Sequence, residues 1–214
     1  MSLMPYPKTH AEREQVIRAT EVWRTKTPTE LALALYTHIF APAEKAYLEL
    51  GERYQAAKGA ERAASDAADV CDERFDTAMR KWTVSVRDER GVARTAELSP
   101  LLSMPPNELT RKPYGVEVSH TQRMLVQLEN RPELRGDPAA FAELSAATNA
   151  LAVAVAADEE ATLTRLAIGR EYTLATKEFD KAYRKLRRAL VPLIGQEALD
   201  AAFPLFVRAE PKGD

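Results

Sequence analysis

The sequence predicts an all-α protein, an elongated antiparallel helical bundle with long coiled-coil-like helices. Three observations carry this expectation. Glycine is scarce, at eight of 214 residues, while Ala, Leu, Glu, Arg and Lys, all strong helix formers, are abundant. Ser or Thr is followed three residues later by Glu or Gln ahead of helical stretches, the reciprocal pattern that satisfies the first free N–H groups of a helix. Apolar residues also recur at alternating spacings of four and three, the period of a packed helical seam.

The elements follow in order. Thr9 and Glu12 form the first capping pair, which starts a helix over 9–25. Thr27-Pro28-Thr29-Glu30 is a second such box with proline at the first helical position, and predicts a long helix over 28–90. Pro42 lacks an N–H and clashes with the preceding turn, so it should kink or break this helix. Gly59 weakens it by about 1 kcal/mol relative to Ala and offers a place for a turn. Ser119 with Gln122 predicts a helix over 119–131. Asp137-Pro138 starts a second long helix over 138–191, continuous because residues 139–191 hold no proline. Gly91 and Gly195 stop the long helices, and short apolar segments, 95–103 and 196–208, come next. Residues 103–118 read as a linker, extended and mobile at "PPNELTRKPYG", and the tail "AEPKGD" as disordered.

The parts list is the same twice over, which predicts an internal duplication. Phe75, Asp76, Ala78, Arg80 and Lys81 recur 104 residues later as Phe179, Asp180, Ala182, Arg184 and Lys185. Gly91 with Pro100-Leu101 recurs as Gly195 with Pro204-Leu205. Upstream the register is 110, where "THAER" at 9–13 faces "SHTQR" at 119–123. The chain then reads as one all-helical domain, 1–214, of two pseudo-repeats, about 1–104 and 105–214, related by a pseudo-twofold axis. Ala64, Ala68, Cys71, Phe75, Ala78 and Trp82 form the seam of one half, and Ile168, Tyr172, Ala175, Phe179, Ala182 and Leu186 that of the other. A short connection favours antiparallel long helices over parallel ones. Asp76 with Arg80, and Asp180 with Arg184, stand in the favourable order for same-helix ion pairs. The recurring block therefore reads as construction, not as a site.

Composition narrows the function. A net charge of −2 exerts no global pull toward nucleic acid or anionic membrane, neither of which is expected as a partner. The single Cys71 excludes an intrachain disulfide and fits a reducing compartment. With no basic-then-apolar leader at the start, and "ALAVAVAA" at 150–157 the longest apolar run, no transmembrane segment is expected and a cytoplasmic location is.

Few residues suggest chemistry. Glu117-x-x-His120 has the spacing used in di-iron bundles, but neither His10 nor His38 supplies the second copy such a site needs. Cys71 lies on the apolar seam with no activating base in sequence. No phosphate loop or nucleophile elbow occurs, so no enzyme activity, metal or cofactor is expected. Lys181, Arg184, Lys185, Arg187 and Arg188 form a basic helix end, explained by complementarity to the helix dipole before any binding role. The apolar segments 98–104 and 201–207 are the interface candidates, through Leu101, Leu102, Phe203, Leu205 and Phe206. The leading expectation is a non-catalytic scaffold or interaction module that binds a protein partner or a second copy of itself as a homodimer. The alternative is a bundle that binds a small molecule, lipid or metal in its core.

Overall fold

A computed structural model describes residues 2–4, 6–26, 29–90 and 106–208, with side chains described over 6–26, 29–86 and 108–206. Helix accounts for nearly all of it, and the fold class is all-α. The elements are β1 (Ser2–Met4), α1 (His10–Thr25), α2 (Glu30–Ile39), α3 (Ala41–Arg90), α4 (Pro106–Leu109), α5 (Tyr114–Glu129), a 3₁₀ turn (Pro132–Leu134), α6 (Pro138–Ile194), α7 (Gln196–Ala202) and β2 (Phe206–Arg208). The two short strands pair antiparallel, Leu3 opposite Val207. The expected segment 98–104, with Leu101 and Leu102, and the tail 209–214 lie outside the described residues.

Local chemistry sets the helix boundaries. Thr9 Oγ1 accepts from the Glu12 N–H at 3.2 Å while Glu12 accepts from the Thr9 N–H at 3.0 Å, the reciprocal box read from sequence. The α2 start differs from expectation: Thr29, two residues later than the expected cap, accepts from the Ala32 N–H at 3.3 Å. Pro42 does break the long helix. Its missing N–H would have bonded His38, so the chain turns at Phe40 and α3 begins anew with Pro42 in its first turn, where no N–H is needed. At Gly59 no turn opens and α3 runs through.

Two expectations in the second half are corrected. Residues 103–118 are not a plain linker, because Pro106–Leu109 is helical and α5 already begins at Tyr114. Nor does Ser119 cap a helix with Gln122. Pro113 sets the start, its carbonyl accepting from Val116 at 2.8 Å, and Ser119 sits in the second turn donating to the Val116 carbonyl at 3.0 Å. At α6 the sequence reading holds: Asp137 Oδ2 accepts from the Ala140 N–H at 2.9 Å ahead of Pro138, and the helix runs unbroken to Ile194. Gly136 leads into it at φ +67°, and a Cβ there would meet Ser85 Oγ and Val86 Cγ2 at 2.8 Å each, so only glycine fits.

The chain forms two compact units, each with its own core. Unit 1 comprises residues 1–55 and 167–214. Its core packs Val16, Ile17 and Trp23 of α1, Tyr36 of α2, Tyr47 of α3, Phe179, Tyr183, Leu186 and Leu190 of α6, and Leu199, Phe203 and Phe206 beyond. Unit 2 comprises 56–166. There Phe75, Met79, Trp82 and Val86 of α3 pack with Met124, Leu125 and Leu128 of α5 and with Leu144 and Leu151 of α6. The Trp82 indole donates to the Arg135 carbonyl at 2.9 Å. In each unit the two long helices run antiparallel. Tyr54 lies against Gly169 and Gly51 against Tyr172 in unit 1, while Lys81 meets Glu143 and Glu61 meets Arg165 in unit 2.

One same-helix pair is as expected and one is not. Arg80 lies 3.6 Å from Asp76. Asp180 instead accepts both Nε and a terminal N–H of Arg13 in α1, at 2.8 and 2.7 Å, and Arg184 lies 5.6 Å over the Tyr6 ring. A bidentate pair at a nearly buried position is stronger than an exposed i,i+4 contact, and it draws Asp180 away.

Among the described residues, α6 is the one helix long and apolar enough to cross a membrane, with 17% of the qualifying window buried. Counting uninterrupted apolar residues missed this window, which tolerates scattered charges.

Phe203 sits 1% exposed against Trp23 at 5.6 Å and Tyr183 at 6.1 Å between ring centroids. We expect Phe203→Ala to destabilise the fold by about 3–5 kcal/mol and lower the melting temperature at unchanged mass. Leu205→Ala, at a 37% exposed position, should move it little. Calorimetry with light scattering checks both.

Candidate functional site

In unit 1 the sequences "GERY" at 51–54 in α3 and "GREY" at 169–172 in α6 place a tyrosine one turn after a glycine on each helix. The antiparallel helices make the two pairs reciprocal. A Cβ at Gly51 would lie 3.4 Å from Tyr172 Cε2, and one at Gly169 would lie 3.2 Å from Tyr54 Cε2, so each glycine opens the space that the opposite ring fills. The rings stack in sequence: Tyr54 on Tyr172 at 5.5 Å and 16°, Tyr172 on Tyr47 at 5.4 Å and 28°. Tyr47 then tilts against Phe179 at 4.8 Å.

This stack delivers two phenols to one histidine. The Tyr172 hydroxyl donates to the Tyr47 oxygen at 3.1 Å, and Tyr47 O to His10 Nδ1 is 2.5 Å. Tyr172 O also lies 3.1 Å from His10 Nδ1, and His10 Nε2 lies 3.2 Å from Glu14 on the same face of α1. One proton arrangement satisfies the whole chain: Tyr172 donates to Tyr47, Tyr47 to Nδ1, and Nε2–H to the Glu14 carboxylate. Burial raises the Tyr47 phenol above its ordinary range and keeps it neutral. A groove of about 420 Å³ opens beside it, lined by His10, Glu14, Tyr47, Leu48, Gly51, Glu52, Gln55 and Tyr172. Chemically the arrangement can accept hydrogen bonds, hold a proton chain and take a small ligand.

Unit 2 carries a second polar cluster, of carboxyl groups. Glu117 in the first turn of α5 is 1% exposed, beside Asp72 and Asp76 of α3. Burial, then the adjoining Asp72 carboxyl, pushes the Glu117 carboxyl up to about 8, which favours its protonated form at neutral pH. Burial and the Asp72 charge raise Asp76 as well. The neighbouring Tyr114 hydroxyl donates to Asp69 at 2.7 Å, which raises the phenol to about 12. Among the described residues no grouping of His, Cys, Asp and Glu is arranged to hold a metal ion.

The residues singled out from sequence scatter. Phe203 and Phe206 are buried in unit 1 on their own chain, and Leu205 is partly exposed. Lys181 pairs with Glu178 at 3.3 Å, and Lys185 and Arg188 are exposed. Arg187 stands apart from the other basic residues. It is 4% exposed and bonded to Asp200 and to the Tyr183 hydroxyl, holding α7 against α6. Cys71 packs half-buried against the unit 2 core. The Tyr–His group was missed although its signal was present: the Gly-x-x-Tyr pair is legible once the long helices are laid antiparallel. The carboxyl cluster was missed because Glu117 was placed before its helix. Comparison with family models, with curated proteins and with solved structures finds no match for this chain.

The carboxyl cluster gives a pH dependence with a definite sign. Glu117 ionises near 4.5 when unfolded and near 8 when folded, so any stability it contributes is complete below 4.5 and is lost as pH rises through 8. We expect wild type to lose roughly 2–4 kcal/mol between pH 5 and 9 from this group. Glu117→Gln keeps a donor and removes this ionisation, so its urea midpoint should fall less than that of the wild type over that range, the raised Asp76 and Glu44 carboxyls still titrating.

Proposed function

We propose that the chain is a non-catalytic helical interaction module that associates first with a second copy of itself. The observation that carries this is the thin stretch of unit 2. Between Ala152 and Leu166 no side chain of α6 is fully buried, and Val153 is 71% and Leu163 67% exposed. Opposite, in α3 from Ala56 to Val70, only Ala57 and Ala68 are buried and Val70 is exposed. A helix pair with this much exposed apolar surface gains by meeting another pair. Of the exposed charges in this stretch, α3 carries Lys58 and Arg62 together with Asp66 and Asp69, and α6 carries Glu159 and Glu160. In a twofold dimer in which α3 of one copy meets α6 of the other, Lys58 and Arg62 are the residues that would face Glu159 and Glu160.

The remaining expectations join this proposal. The pseudo-twofold duplication is supported by register-equivalent residues, since Phe75, Ala78 and Trp82 in unit 2, and Phe179, Ala182 and Leu186 in unit 1, are all core residues. A coiled-coil-like packing of the long helices within each unit is read from the same spacing. We read the protein as cytoplasmic, without a transmembrane role for α6 and without nucleic acid or anionic membrane as partner. In support, Arg187 is withdrawn into the core and Lys181 is engaged with Glu178.

A second reading, small-molecule binding, is favoured by the groove beside Tyr47, whose volume is within the range of ligand pockets.

For the first reading, we expect wild type to elute as a dimer with light scattering. Val153→Glu with Leu163→Glu should convert it to a monomer of unchanged helicity whose melting temperature no longer depends on protein concentration. A wild type that stays monomeric at high concentration ends the self-association proposal.

A further inference from the structure

We infer that the groove beside His10, Tyr47 and Tyr172 binds a small aliphatic ammonium ion, a linear alkylamine or diamine. This inference rests on the small-molecule reading and names its ligand class.

The groove offers acceptors and negative charge. In the satisfied proton arrangement, Tyr172 and Tyr47 have spent their hydrogens inside the relay, and what their oxygens still offer is lone pairs. His10 spends its Nε2–H on Glu14. Gln55 adds an amide, and Glu14 and Glu52 are the two carboxylates of the lining. No lysine or arginine lines it. The nearby cations are held elsewhere: Arg13 is bound at both ends of its fork by Asp180, and Arg53 faces Glu171 at 3.7 Å. Arg18 reaches Glu14 only at 3.9 Å in an exposed pair, a weak competitor. An anion would therefore meet two carboxylates and no free charged donor, whereas an ammonium meets acceptors on every polar side.

Shape excludes two other cation classes. Tyr172 has one face on Tyr47 and the other on Tyr54, and Tyr47 has Phe179 behind it. The ring faces are occupied, so no aromatic cage for a quaternary ammonium remains and recognition falls to the oxygens. A bare metal ion would fill little of about 420 Å³. Leu48 and Gly51 give the lining an apolar, open strip that suits a methylene chain.

The test is isothermal titration of the full chain with three probes of equal length: 1,5-diaminopentane, 1,5-pentanediol and glutarate. The inference expects heat with the diamine alone, weakening with added salt. Glu52→Gln, and Tyr172→Phe, which keeps the stacked ring, should each weaken diamine binding roughly tenfold. Glu52→Gln, at an exposed position outside the relay, should do so at an unchanged melting temperature, which separates lost recognition from lost fold. Binding of glutarate or the diol, with the diamine silent, overturns the ammonium class and leaves the ligand-binding reading standing. Silence from all three up to roughly 10 mM overturns both. Diamine binding unaltered by both substitutions overturns the placement in this groove.

Discussion

The pairing of α3 with α6 is the contact on which both cores depend. Neither helix can bury its apolar stripe alone, and two helices in contact still leave the outer side of each stripe in water. A third layer is therefore required wherever the seam carries large residues. In unit 1, α1, α2 and α7 supply it over Phe179, Tyr183 and Leu186. In unit 2, α5 and the 3₁₀ turn supply it over Phe75, Met79 and Trp82. Where the seam turns to alanine, between Ala56 and Ala68, the helices have little to cover, and the apolar residues that remain point outward. The self-association proposed above is the same requirement met by another copy.

The sequence made the seam legible because it obeys a local rule, the alternating four-and-three spacing, that tertiary context does not alter. Thr9, Asp137, Pro42 and Gly195 were legible for the same reason: each acts on its immediate neighbours through a hydrogen bond made or missing. What failed were readings in which a local signal had a competitor. Ser119 and Gln122 have the right spacing for a cap, but Pro113 starts the helix five residues earlier and leaves the serine inside it. Asp180 and Arg184 have the right spacing for a pair, but Arg13 reaches Asp180 from another element. Long-range partners carry no periodic signature, so Arg13, Glu117 and the Tyr–His relay were beyond a helix-by-helix reading.

Asp76 and Asp180, which recur 104 residues apart in the sequence, show how far matching residues can part. They share a register, follow equivalent phenylalanines, and are partly withdrawn from water. Burying a carboxylate is costly unless a cation or enough donors meet it. At Asp180 the covering helix α1 brings Arg13, and the charge is kept as an ion pair. At Asp76 the covering helix α5 brings Glu117 instead, a second acid, and charge is removed by protonating one member of the group. The earlier start of α5 accounts for this. It puts Glu117 in the first helical turn facing α3, while Arg123, which stands where Arg13 stands in the 110-residue register, is turned to solvent. The recurring aspartate thus meets a buried cation in one unit and a carboxyl cluster in the other. The difference lies in which side chain each covering helix turns toward it.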